Sequence, residues 1–389
     1  MSKRSILFKV ILICLAAIEL LLSIFIKGFS DFYAAHVFPI WNALYARVWG
    51  LFKGLSVGEL LIYLALVYVL FTVVLWIIRL VNLFRRSDAF KTLNSVNTNV
   101  FLNIVAVVIL LQVQNCFVLY HVTPLFEGTA AESYVENRKD LIALREMLAK
   151  KANELSVKFE RNDKGEIVYE TDIKGYSVIT MQHLGEAARD RVKAGNPAAL
   201  DNKIKLLSGY YSQPKPLIKS DFFCQQSICG YYFPFSLEAN YNKLMYVTNF
   251  PNTMCHELAH TKGFILEDEA NFIAYLACLN SGNDLYIYSA TIEALSYVNV
   301  EVRRELAVEP EERAKLTPIS ELVSFDSMFI TEETRQAVEA DAWFKTEKVK
   351  KASDAFIDTN LTINGVEDGI QSYSRMVDLL LKYYYGGVY

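Results

Sequence analysis

The sequence predicts an α+β chain, mostly helical, in two parts: three N-terminal transmembrane helices and a C-terminal mixed domain. Three observations predict this. Charge is placed unevenly, with long uncharged apolar runs confined to the first 126 of 389 residues. Those runs are long enough to cross a bilayer as helices. Beyond them the pattern is that of an ordinary globular domain, in which a strand-like stretch runs into a helix carrying two histidines.

Length and composition set the outer limits. Hydrophobic residues make up 53% of the chain and charged residues 21%, and the chain is long enough for two units. The formal net charge of −4 leaves no basic footprint, so nucleic acid is not an expected partner. No glycine-rich phosphate loop follows a strand-like run, and no internal repeat is visible. The domain division expected is 1–121 for the membrane part and 122–389 for the second domain.

The first apolar run covers about 6–26. It is long for a signal peptide, and Lys27-Gly28-Phe29 is a poor cleavage site, so a membrane helix is the expectation. Glu19 lies inside it; a carboxylate at that depth should face another helix or be protonated. The second span is about 60–78. The third is about 100–120, where Asn103, Gln112, Gln114 and Asn115 should bond across to neighbouring helices. Between the first two, Trp41, Tyr45, Trp49 and Phe52 recur at helical spacing, as in a helix lying at headgroup level. Lys3, Arg4 and Lys9, which precede or enter the first span, with Arg79, Arg85, Arg86 and Lys91 after the second, outweigh Lys27, Arg47 and Lys53 between them. The positive-inside rule then places the C-terminal domain outside the cytoplasm.

In the second domain, 129–155 reads as a long helix rich in Ala, Leu, Glu and Lys. Asn162-Asp163-Lys164-Gly165 is a turn signal between two strand-like runs and predicts a hairpin. A helix is expected over 176–193, broken at Gly195-Asn196-Pro197. The stretch 230–249 is the most strand-like; Glu238 on it is either a substrate contact or a solvated charge. Helices are expected over 285–306 and 369–385.

The chemistry concentrates in His256-Glu257-Leu258-Ala259-His260. On a helix, histidines four residues apart leave the same face one turn apart and can hold one zinc ion. Glu257 flanks the metal and is placed to take a proton from a water on it, the general-base role of this motif. A catalytic zinc takes a third protein ligand. Gly263 can end the first helix in a left-handed conformation, and a second helix with an acidic first turn should start near Glu267. Glu269 is the alternative third ligand; two positions on, it lies roughly 200° around the helix, so Glu267 and Glu269 should not both face the metal.

This HExxH, followed by a helix bearing Glu267 and Asn271, resembles the gluzincin metallopeptidases. The resemblance implies a zincin-like domain, Zn2+ as cofactor, Glu267 as third ligand and Asn271 as a residue supporting a metal-binding histidine. The gap between His260 and Glu267 is shorter than in many members. An edge strand beside the metal would pair with an extended peptide in proteins of that type. The wider string from Cys255 to Phe272, behind three spans, also resembles a bacterial membrane family catalogued as domain of unknown function 3810.

Six cysteines leave alternatives open. Cys224 with Cys229, and Cys255 with Cys278, are either disulfides of an extracytoplasmic domain or free thiols. The reading that results is a multi-pass, membrane-anchored zinc metallopeptidase of the bacterial cell membrane, acting on a peptide or protein substrate. A non-enzymatic membrane protein with a structural zinc site, and a proteolytic sensor in signalling, are the alternatives.

Overall fold

The structure is a computed structural model and describes residues 3–81, 88–195, 197–198, 200–363 and 372–387. It is mostly helical with little sheet. The chain divides into two compact units. The first comprises 1–52, 56–123 and, from far along the chain, Phe233–Glu238. The second comprises Lys53–Leu55, Pro124–Tyr232 and Ala239–Tyr389. The first unit thus takes in the short segment Phe233–Glu238, and the second takes in Lys53–Leu55.

The first unit is built on α1 (Lys3–Phe25), α2 (Phe38–Trp49), α3 (Val57–Val81) and α4 (Asp88–Gln112). Three helices are long and apolar enough to cross a membrane: Lys3–Phe25, Val57–Val81 and Phe90–His121, the last running through a π-helical turn at Val113–Phe117. Each coincides with one predicted apolar run; the second and third contain theirs and extend it, and the first starts three residues earlier and ends one residue sooner. Their polar residues turn toward one another, as expected where water is scarce. Lys9 Nζ donates to Asn99 Oδ1 at 2.8 Å and Asn103 Oδ1 at 3.0 Å, tying α1 to α4. Gln114 Nε2 donates to Glu19 Oε1 at 3.0 Å, the partner the sequence demanded for that carboxylate. The aromatic stretch is helical (α2), with Ile40, Trp41, Leu44 and Val48 exposed on it. Arg85 and Arg86, which entered the charge comparison, lie outside the described residues.

The second unit has α5 (Arg138–Ser156), α6 (Ile173–Lys193), β1 (Lys215–Pro216), α7 (Ser220–Gln225), β2 (Gly230–Phe233), β3 (Glu238–Tyr241), α8 (Asn249–His260), α9 (Glu267–Leu279), α10 (Asp284–Glu305) and a closing α11 (Ser372–Tyr385). Helix α5 begins later than the composition predicts because Asn137 caps it, accepting from the Asp140 N–H at 3.0 Å. The predicted hairpin is corrected to one isolated antiparallel bridge, Arg161 with Ile167. The Arg161 side chain turns inward and makes a two-pronged pair with the fully buried Asp326 at 2.6 and 2.9 Å. The strand-like stretch 230–249 is cut at Pro234 into β2 and β3, and its last residue already opens α8.

The sheet has three strands in the order β1-β3-β2, with β1 parallel to β3. β2 is therefore an edge strand. Helices α8, α9 and α10 bury Leu258, Phe272, Ile273, Tyr288 and Val298 in one continuous core, joined by Leu380 and Leu381 of α11. All six cysteines are free, including Cys255 and Cys278, both wholly buried in that core. Of the two alternatives open for each pair, the structure has the free thiols.

Candidate metal centre

Helix α8 places His256 and His260 one turn apart at its end. It stops because Gly263 adopts φ +94°, a left-handed conformation that costs a residue without a Cβ little. The chain reverses over Phe264–Leu266 and re-enters a helix at Glu267, whose first turn also carries Asp268 and Glu269. Those three carboxylates sit where unsatisfied backbone N–H groups favour negative charge.

The structure brings together His256, His260 and Glu267, with one ligand atom from each lying within 4.8 Å of the others. His256 Nε2 lies 2.9 Å from His260 Nε2 and 3.2 Å from Glu267 Oε2; His260 Nε2 lies 3.7 Å from Glu267 Oε1. Ligand atoms of a tetrahedral zinc at bond lengths of about 2 Å stand about 3.3 Å apart, so the three donors bracket the required spacing. His260 Nδ1 lies 2.7 Å from the Phe264 carbonyl. A carbonyl only accepts, so Nδ1 carries a hydrogen, and Nε2 is the ring atom turned to the other two candidate ligands, free to bind a metal once it has given up any proton.

Glu257 completes the arrangement. Its carboxylate is buried, and Oε2 has no hydrogen-bond partner among the described residues. A buried carboxylate oxygen left unpaired is costly unless something occupies that position. A β-carbon on Gly230 would lie 2.5 Å from Glu257 Oε1, so only glycine lets the β2 backbone come this close. The next-but-one residue, Tyr232, sets its ring 5.8 Å from that of His260. The donor set, one flanking carboxylate and an edge strand thus fit a zinc ion and its ligands.

The electrostatics follow from burial and proximity. Burial raises the Glu257 carboxyl to about 7, the histidines working against that rise and Glu267 adding to it. Burial would lower His260, but the adjacent Glu267 carboxylate, with Glu257 and the Phe264 carbonyl, raises it to about 9. Burial likewise opposes the Glu267 anion, yet the two imidazoles hold its carboxyl well below the usual carboxylate range. The Glu267 side chain is 44% exposed against 13% and 6% for the histidines, so the cluster opens to solvent on the Glu267 side.

Glu269, the alternative third ligand, points elsewhere: Oε1 accepts from the Leu125 N–H at 2.7 Å, and burial raises this carboxyl to about 8. That outcome follows from the two-residue offset on a helix. Asn271 is half-buried one turn beyond Glu267, but among the described residues no hydrogen bond joins it to either histidine. The orienting contact to His260 comes from the Phe264 main chain, which sequence motifs do not reveal. Gly230 was also missed, although a lone glycine between Cys229 and three consecutive aromatics is a signal of close backbone approach. His121 bonds locally to the Phe117 carbonyl at 2.9 Å and plays no part in the cluster.

A mostly helical chain with three candidate spans and a His-His-Glu cluster defines a class of protein without fixing an activity. The match to a family model described as "Protein of unknown function (DUF3810)", over residues 33–381, is more particular. It covers most of the chain, which therefore belongs to the DUF3810 family. No curated protein and no solved structure matches.

Proposed function

We propose that the chain is a membrane-anchored zinc metallopeptidase, held by its three apolar helices with the C-terminal domain outside the cytoplasm. The observation that carries the reading is the His256–His260–Glu267 donor cluster beside the unpartnered carboxylate of Glu257. A structural zinc site has no use for a buried acid beside it, whereas hydrolysis does.

His256 and His260 would bind through Nε2 and Glu267 through its carboxylate. A zinc ion held there would polarise a carbonyl and lower the pKa of a water molecule. Glu257, desolvated and with one oxygen unpartnered, would take the proton from the attacking water and later deliver it to the leaving amine. Strand β2, with Gly230 against Glu257, offers an edge along which an extended peptide could lie. The exposed side of Glu267 supplies the way in.

The test is the zinc content and peptidase activity of the full-length protein, alone and with Glu257→Gln. One zinc per chain, kept in Glu257→Gln while activity is lost, supports the reading. Zinc kept with unchanged cellular phenotype in Glu257→Gln favours a structural site. A folded protein that binds no zinc sinks it.

A further inference from the structure

Strand β2 ends at Phe233, and from there to Glu238 the chain belongs to the first unit, not to the unit that carries the histidines. Three contacts inside the first unit hold this short connection. The Gly58 N–H, at the start of α3, donates to Glu238 Oε2 at 2.6 Å. Asn115, in the π-helical turn beyond α4, donates from Nδ2 to the Pro234 carbonyl at 2.7 Å. A β-carbon on Gly58 would fall 2.5 Å from the Phe233 ring, so this glycine is what admits Phe233.

The connection is fixed, not draped. Phe233, Ser236, Leu237 and Glu238 are all buried. Leu237 holds φ +52°, a left-handed conformation that a non-glycine residue keeps only when its surroundings over-determine it. Glu238, expected on a strand as a substrate contact or a solvated charge, is instead a buried acceptor for α3. The π-turn that delivers Asn115 is a rare local geometry that tends to mark functional positions. At its other end the same four-residue strand sets Gly230 against Glu257, within the second unit.

We infer that Gly58, Asn115 and Glu238 are positioning residues for β2: helices of the first unit fix the far end of the strand that lies beside Glu257. The site's edge strand would then be built correctly only in the full chain, although all three candidate zinc ligands belong to the second unit. The role of β2 in receiving substrate rests on the peptidase reading; its dependence on Asn115 and Glu238 does not.

The experiment is hydrogen exchange on the full-length protein in lipid nanodiscs, comparing the β2 amides with those of α10, alongside zinc content. Asn115→Ala and Glu238→Ala should each speed exchange at Gly230–Phe233 by about tenfold, as loss of one buried hydrogen bond would. Glu238→Gln, which keeps an acceptor for the Gly58 N–H, should stay near wild type. Exchange in α10 and zinc content should not move. Unchanged protection of β2 in both alanine variants would overturn the inference, and so would equal loosening of α10, which would mean general destabilisation. A β2 response in a protein that binds no zinc would uphold the positioning role while removing the peptidase reading.

Discussion

The second unit buries two charged clusters, and they are finished to different degrees. At Asp326 every oxygen is answered: Arg161 grips both at 2.6 and 2.9 Å, Tyr288 donates to Oδ2 at 2.7 Å and Tyr246 to Oδ1 at 3.3 Å. At His256, His260 and Glu267 the donors converge on one another, and Glu257 Oε2 is left without a partner. The first cluster is complete with protein atoms alone and serves the fold. The second has the composition of a ligand shell, with a buried carboxylate beside it. On the same two helices Asn252 Oδ1 and Asp268 Oδ1 are also buried without a hydrogen-bond partner among the described residues, so it is the converging donor set beside Glu257, and not an unpaired oxygen alone, that separates a candidate site from a structural ion pair.

The comparison can be broken by substitution. Glu257→Gln should leave zinc in place and lower peptidase turnover by roughly 10²–10⁴-fold, the usual share of a general base, measured on zinc-loaded protein. Asp326→Ala should destabilise the domain by about 3–5 kcal/mol, because Arg161 is left buried and unpaired; thermal unfolding checks it. His260→Ala should reduce zinc content to background while shifting the unfolding midpoint far less than Asp326→Ala. Equal destabilisation by the two would erase the distinction between the clusters.

The smallest effect on the centre is expected from Glu269→Gln. Glu269 is raised to about 8, so between its ordinary value near 4.5 and that pH the folded state holds a proton the unfolded state has lost. Stability should therefore fall as pH rises through this window. Glu269→Gln keeps an acceptor for Leu125 and should flatten that slope without altering zinc content. A wild-type slope in the variant would assign the pH dependence to another group.

Much of the centre was legible in the sequence because it is local. The helical repeat sets the separation of His256 and His260, a glycine ends their helix, and an acidic turn opens the next. The choice between Glu267 and Glu269 follows from helix rotation, and Glu267 is the one that joins the histidines. Asn271 was assigned by resemblance, and the contact implied for it is absent among the described residues. What stayed illegible is non-local. The Arg161 side chain pairs with Asp326, 165 positions away. The segment after β2 joined Gly58 and Asn115, 180 and 119 positions from their partners. Periodicity and turn signals carry no information about such pairings.

The three candidate ligands all fall between His256 and Glu267, a stretch of twelve residues. A cross-link stabilises a fold chiefly by shrinking the freedom of the unfolded chain, and a loop this short gives about 3 kcal/mol where one of a hundred residues would give about 5. An ion bound here would clip together only the end of α8 and the start of α9. The other helices of the second unit would gain only through the core they share with those two. Removal by a chelator should accordingly loosen the turn around Gly263 and leave the remaining core standing.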